Sequence, residues 1–342
     1  MVLNGRVQGT VAAATQKRVL DAAAELGYTR SALAISLKEQ RSRTIGLITD
    51  EIATSPFAGR MARAASVAAA AAGYMVITMD LSLRDHTVED AARLLAERQV
   101  DGLLYATMGR MRVRRPTIPP GIPLVLLNCE LERAGDEEGP EGSRAADGAG
   151  GVPQGTGVDL PTYVPDDHGG ARRAARRLLE TGHRRIVMLS GDDQSLGVVE
   201  REAGFREELA AAGLEARILP VGWQMDDGYR ATARLLGEPV PPTGLFCIRD
   251  RVAAGALHAA AAAEVAVPGE LSVIGFDDED FFAERLTPPL TTIALPHEEM
   301  GRRGMEALLE LLGEGGATAE EGRQVIACPL VERGSVGIAR ES

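Results

Sequence analysis

From residue 44 onward, short apolar runs alternate with amphipathic stretches. The runs are 44–49, 74–79, 102–106, 123–128, 185–191, 217–221, 244–248 and 272–277. Their continuous apolarity suits strands buried on both faces. Between them apolar residues recur at helical spacing over 88–98, 170–181, 200–212 and 252–263. Gly73, Gly182 and Gly213 stand where a left-handed C-cap belongs. Such alternation predicts an α/β fold of two doubly wound parallel-sheet lobes with helices on both faces.

The alternation breaks once. Residues 132–161 are rich in Gly, Asp, Glu and Ala. They carry too little apolar surface to order themselves, and they are too long for an ordinary connection. They predict a mobile loop between the lobes. Gly155-Thr156-Gly157 within it has neither the strand before nor the helix after that a phosphate loop needs. The lobes are expected at 44–162 with 294–323, and at 163–293 with 324–340. A helix over 297–312 and a strand over 324–330 lie in the tail.

Ahead of them lies a head, 1–28, and a linker, 29–43. Val19, Leu20, Ala23 and Leu26 predict one helix over 15–27. Leu33 and Leu37, four apart, predict a second over 31–38. A helix that short needs a partner, either its twin in a dimer or DNA.

At 342 residues the chain needs two lobes or more. Aromatics are only 4%, so Ala, Leu and Val must build the core. The Ala-rich stretch 62–72 is interrupted by Arg63 and Ser66, and no apolar run is long enough for a membrane span. Residues 1–10 lack an apolar signal core, which predicts a cytoplasmic protein. The net charge is −12, against a protein coated in nucleic acid. The head, however, is basic: Arg6, Lys17, Arg18, Arg30, Lys38, Arg41 and Arg43 face Asp21, Glu25 and Glu39. Solvated helix faces explain this, as does a nucleic-acid contact confined to the head. Cys129, Cys247 and Cys328 are too far apart in sequence for a metal knuckle or redox pair, and read as buried thiols.

No nucleophile elbow, zinc-binding His pair or phosphate-binding Gly-Lys loop occurs. His297, Glu298 and Glu299 have the wrong spacing for a metal and suit the start of a helix. No catalytic residue, metal or cofactor is expected. Ligands of open α/β sheets sit beyond the carboxyl ends of strands. That rule nominates Asp50, Asn128, Arg249 and Asp277, each of which ends or follows a run.

Several ordered motifs carry a resemblance. Ala24-Glu25-Leu26-Gly27-Tyr28, Ser31-Ala32-Leu33-Ala34 and Thr44-Ile45-Gly46-Leu47 lie near the start. Gln99-Val100-Asp101-Gly102, Gly182-His183-Arg184-Arg185-Ile186, Gly275-Phe276-Asp277-Asp278 and Pro288-Pro289-Leu290-Thr291-Thr292 follow. The chain thereby resembles the LacI/GalR family of bacterial transcriptional repressors over nearly its whole length, 132–161 excepted. The resemblance implies a dimer of two-lobed, periplasmic-binding-protein-like cores. A sugar-like effector would sit between the lobes, and head and hinge helix would bind operator DNA. It adds Phe57, Arg201 and Trp223 to the effector candidates. Asn4, Arg30, Leu33, Leu37 and Lys38 become the DNA candidates, Leu37 as an apolar wedge between base steps.

Two departures matter. Met1-Val2-Leu3-Asn4 matches the end of the family's reading helix. The chain as it stands is therefore expected to bind ligand but to read DNA poorly, with operator DNA as a partner once the reader is restored. Arg249-Asp250 stands where the family usually has Asn-Asp. Either Arg249 meets an acidic group of the effector, or it pairs with Asp277 or Asp50 and closes the site to neutral sugars. Two rival readings remain: a stand-alone sugar- or solute-binding protein, and a nucleotide-dependent enzyme on a similar sheet.

Overall fold

The computed structural model describes residues 12–26, 36, 41–50, 58–81, 87–132, 159–313 and 322–340. The expected loop lies almost wholly outside them, as do the predicted helix 31–38 (Ser36 excepted), Phe57, and the DNA candidates Asn4, Arg30, Leu33, Leu37 and Lys38.

Two six-stranded sheets form. In chain order the first lobe opens with β1 (Thr44–Thr49), α2 (Ala58–Ala71), β2 (Met75–Asp80), α3 (Val88–Glu97), β3 (Gly102–Val113), β4 (Leu124–Leu131) and β5 (Thr162–Pro165). The second follows with α4 (Asp167–Glu180), β6 (Ile186–Ser190), α5 (Leu196–Ala211), β7 (Arg217–Pro220), α6 (Met225–Leu236), β8 (Gly244–Cys247), α7 (Asp250–Ala262), β9 (Ser272–Asp277) and β10 (Thr291–Ala294). The chain then returns through α8 (His297–Leu311) and β11 (Arg323–Ile326) to the first sheet, and ends on the second with β12 (Leu330–Val331). The sheet orders are β11-β5-β4-β3-β1-β2 and β12-β10-β9-β8-β6-β7. Only β10 with β12 is antiparallel among these pairs. β1 (burial complete), β6, β8 and β9 are buried throughout, as continuous apolar runs require.

The sheets move the lobe boundaries by a few residues. β5 and β11 both pair in the first sheet, so 163–165 and 324–326 belong there rather than to the second lobe. Ala294 closes β10 of the second sheet. The backbone therefore crosses at Asp166, at 295–296 and at 327–329. Asp166 N donates to Ile326 O (2.8 Å) and Ala294 N to Pro329 O (2.8 Å), which ties the crossings together.

Gly73, Gly182 and Gly213 take positive φ at helix ends, as their positions predict. His183 is a structural knot: its ring nitrogens meet Thr243 Oγ1 (3.0 Å), Ser272 Oγ (2.8 Å) and Gly337 O (3.1 Å). Cys129, Cys247 and Cys328 are buried free thiols, and burial pushes each of them up. The head helix α1 spans Ala13–Glu25 and buries no residue; Leu20 and Leu26 are 53% and 83% exposed. Its apolar stripe thus has no cover from the described residues.

Helices α6 and α7 approach through glycine. A Cβ on Gly255 would stand 1.9 Å from Met225 O, and one on Gly228 2.0 Å from Val252 O. Gly255→Ala must push two backbones apart. We expect a loss of at least the ~1–3 kcal/mol of an overpacked core. The melting midpoint should fall by roughly 2–4 °C per kcal/mol. An unchanged midpoint in a thermal melt would refute the close approach.

Candidate functional site

Both sheets are doubly wound, with the strand order reversing between β1 and β3 and between β6 and β8. The crevice beyond those carboxyl ends is where such folds hold ligands. On the second-lobe side, β6 ends at Ser190 and Gly191 follows. A Cβ there would meet the Trp223 ring at 2.7 Å, so glycine lets the indole lie against the backbone. Trp223 Nε1 donates to Asp193 Oδ2 (2.9 Å), which fixes the ring at the rim.

Arg201 sits in the second turn of α5 and is 7% exposed. Its Nε donates to Asp167 Oδ1 (2.8 Å) and its Nη1 to Ile248 O (2.7 Å), just past β8. The guanidinium carbon lies 3.7 Å from the centroid of the buried Phe276 ring, a desolvated cation–π contact. The next residue, Asp277, ends β9 with φ 120°, and Asp278 follows at φ 53°. These positive φ values turn the two carboxylates apart. Asp277 Oδ1 lies 3.9 Å from Arg201 Nη1 and its Oδ2 3.5 Å from Arg249 Nε. Asp278 instead pairs with Arg333 (2.6 Å). Burial pushes Asp277 up to about 6, against the pull of Arg249 and then Arg201. Arg249 therefore faces Asp277, the pairing that was one of its two expected fates.

Asp250 lies deeper. Its Oδ2 accepts Glu279 N (2.8 Å) and its Oδ1 accepts Thr292 Oγ1 (2.5 Å). Burial, and after it Asp277, raises this carboxyl well above the usual range. His297 opens α8 in the crossing segment. Burial, then Arg60 and Arg201, lower it to about 3, so the imidazole is neutral.

On the first-lobe side, the register of β3 against β4 shifts between Ala106 and Met111. Asn128, at φ 58°, donates from Nδ2 to Thr107 O (3.0 Å) and Met108 O (2.9 Å). Asp50 Oδ1 accepts Met108 N (2.6 Å). Both nominated residues thus clamp a bulge, a device that re-aims a strand. Within the bulge Arg110 points at the second lobe. It reaches Asp167 Oδ2 (3.0 Å) and both oxygens of Glu200 (2.7 and 2.9 Å), and Glu130 of its own lobe (3.2 Å). Arg323 of β11 adds a bond to Glu200 (3.2 Å). On α2, Arg60 spans to Asp278 O (3.1 Å) and Asp280 (3.2 Å).

The structure thus brings Arg201, Arg249 and Asp277 together and places Trp223 at the same rim of the second sheet, while Asp50 and Asn128 lie across the bulge of the first. Arg60, Arg110, Asp167 and Glu200 were missed. Asp166-Asp167 before a helix reads as ordinary capping, and nothing in the local sequence marks the others. Among the described residues no cluster suited to a metal occurs, and no helix is long and apolar enough to cross a membrane.

Residues 175–336 match a periplasmic binding protein-like domain. The chain is 31% identical to the HTH-type transcriptional repressor CytR of Escherichia coli (strain K12), over 95% of this chain and 88% of the relative. A putative LacI-family regulator from Rhizobium etli superposes with a TM-score of 0.73 at 29% identity, over 87% of this chain and all of that one. The chain belongs to the LacI family of transcriptional regulators. This LacI-family chain is also 27% identical to a CelR–cellobiose complex, with a TM-score of 0.64 over 98% and 94% of the two chains. As a LacI-family member it is an effector-responsive regulator and not an enzyme. The rival reading as a nucleotide-dependent enzyme is set aside by that membership.

Proposed function

We propose that this regulator binds a sugar-like polyol in the cleft and transmits occupancy to operator DNA through its head and hinge, as a cytoplasmic homodimer. One observation carries the reading of the cleft. Arg201 and Asp277 are both buried, 3.9 Å apart, at the carboxyl ends of the second sheet. A guanidinium and a carboxylate so placed serve adjacent hydroxyls, one as donor and one as acceptor. Trp223 at the rim offers a flat face to ring C–H groups. The cellobiose in the related CelR complex supports the class of ligand. Asp50 and Asn128 shape the opposite wall through the β3 bulge, and Phe57 stays an effector candidate on the strength of the family resemblance. Arg249 faces Asp277 at 3.5 Å, a contact loose enough for a ligand hydroxyl to compete for the carboxylate, so this pairing leaves the site open to neutral sugars. Asn4, Arg30, Leu33, Leu37 and Lys38 contact DNA.

Trp223 is the only tryptophan, so its emission reports on the cleft alone. Titration with cellobiose, D-glucose and D-gluconate, followed by that emission and by calorimetry, tests the reading. Binding of a neutral sugar supports it. Binding of gluconate alone would assign Arg249 to an acidic ligand. Heat and emission unchanged by every sugar would sink it.

The pH dependence follows from Asp277. A carboxylate accepts a ligand hydroxyl, and burial holds its pKa near 6. Protonation removes that acceptor, so affinity should fall as pH drops through about 6, by about tenfold per unit well below it. Asp277→Asn should bind weakly with a flat profile. A sloping profile in that variant would assign the titration to another group.

A further inference from the structure

Asp167 lies at the first turn of α4, just after the backbone crosses between lobes, and is 0% exposed. Its two oxygens are divided between the lobes. Oδ1 takes Arg201 Nε of α5 (2.8 Å); Oδ2 takes Arg110 Nη1 of β3 (3.0 Å). Arg110 also holds Glu200 of α5 through a two-pronged pair, and Arg323 of the first sheet holds the same Glu200. Arg110, Arg201 and Arg323 thus meet Asp167, Glu130 and Glu200, three cations against three carboxylates.

A fully buried carboxylate shared by two guanidinium groups has a definite energetic property. Losing either partner leaves part of a charge unpaired in a dry place, which costs far more than losing a surface pair. The two contacts therefore share one carboxylate, and a change in either alters the hold of the other. One of them needs the lobes at their present separation, because Arg110 belongs to the first sheet. The other aims the guanidinium that faces Asp277.

We propose that Asp167 is a positioning residue that couples the aim of Arg201 to lobe closure, with Arg110 and Glu200 as the latch across the cleft. The proposal rests on the cleft being the effector site, but the latch exists without ligand. Separating the lobes withdraws Arg110 and leaves Arg201 as the sole partner of Asp167. Closing them shares the carboxylate and releases part of the guanidinium for a ligand. Ligand affinity and closure are then linked: ligand favours closure by the factor by which closure raises affinity, and a substitution that opens the lobes lowers affinity by the closed fraction it removes.

The test measures lobe separation in the ligand-free chain, so its outcome is independent of which sugar binds. Spin labels are placed through Arg98→Cys on the first lobe and Arg206→Cys on the second, diluted with unlabelled chain to suppress distances between protomers. The native thiols are buried and stay unlabelled. The parent should give one narrow distance peak. Asp167→Asn and Arg110→Gln should lose it for a longer, broader distribution. Glu200→Gln, at a side chain 28% exposed, removes the latch without emptying a buried site and should broaden the peak in the same direction. Arg302→Gln, which breaks only an exposed pair with Glu299 and Glu306, should change nothing. Unaltered distances in folded Glu200→Gln and Arg110→Gln would overturn the latch. Broadened distances with the Kd of the parent's best-bound sugar unchanged in Glu200→Gln would overturn the coupling to Arg201. Failure of every sugar to bind the parent would instead sink the cleft reading alone.

Discussion

Arg201→Ala should weaken binding of a neutral sugar by at least about a hundredfold, while the second lobe stays folded. The side chain has Nε on Asp167 and Nη1 on Ile248 O, which leaves Nη2 to reach a ligand. A charge-assisted bond to a hydroxyl in a dry cleft contributes roughly 1.5–3 kcal/mol. Its loss is compounded because Asp277 loses one of two cations that hold it ionised, so the acceptor beside it weakens as well. Arg201→Lys should fare nearly as badly. One ammonium cannot satisfy Asp167, Ile248 O and a ligand in the plane that the guanidinium fills over Phe276. Calorimetry reads the affinity, and far-ultraviolet circular dichroism checks the fold. Affinity within about threefold of the parent, where the difference is under ~1 kcal/mol, would remove Arg201 from the site.

The parallel strands were legible because burial on both faces leaves no polar position to blur the run. The runs 44–49 and 272–277 match β1 and β9 residue for residue. β5 from residue 163 and β11 from residue 324 were expected in the second lobe and lie in the first sheet. Thr162–Pro165 and Arg323–Ile326 are short, and it is the pairing of β5 with β4, and of β11 with β5, that places them in the first sheet. β3 reads as ending at Ala106, because beyond its bulge the strand leaves the core and turns polar. Alanine and arginine in α2 give a weak stripe, so that only its C-cap Gly73 was legible, whereas α6 has a well-segregated apolar face that went unread. The cleft followed the same divide. Residues at strand ends could be nominated from chain position alone, since topology places them. Arg110 could not, for its partners Asp167 and Glu200 stand 57 and 90 residues away. Asp277-Asp278 would splay to opposite faces if extended. The structure splays them by positive φ instead, and it is Asp250 that receives the Glu279 N–H.

Asp250→Ala should carry the largest stability cost of any single change near the site, about 3 kcal/mol or more in the second lobe. The carboxyl is 0% exposed and knits three elements: its own α7, the turn after β9 through Glu279 N, and β10 through Thr292 Oγ1. Gly275 is fitted to it, since a Cβ there would lie 2.2 Å from Oδ1. Alanine leaves a buried N–H and a buried hydroxyl without an acceptor and opens a void that backbone cannot fill. Asp250→Asn should cost only about 1 kcal/mol, because its amide keeps the volume and the Thr292 hydroxyl can rotate to accept. The contrast separates lost hydrogen bonding from lost charge. Burial and the neighbouring Asp277 already push Asp250 toward its neutral form, so replacing it by a neutral amide removes little charge. Asp250→Asn should therefore leave the acid limb of ligand binding, which follows Asp277, nearly where it is. Denaturant melts of the two variants, with the binding profile of the second, settle the point; equal destabilisation by Ala and Asn would mean that the charge, not the acceptor geometry, holds the turn that presents Asp277.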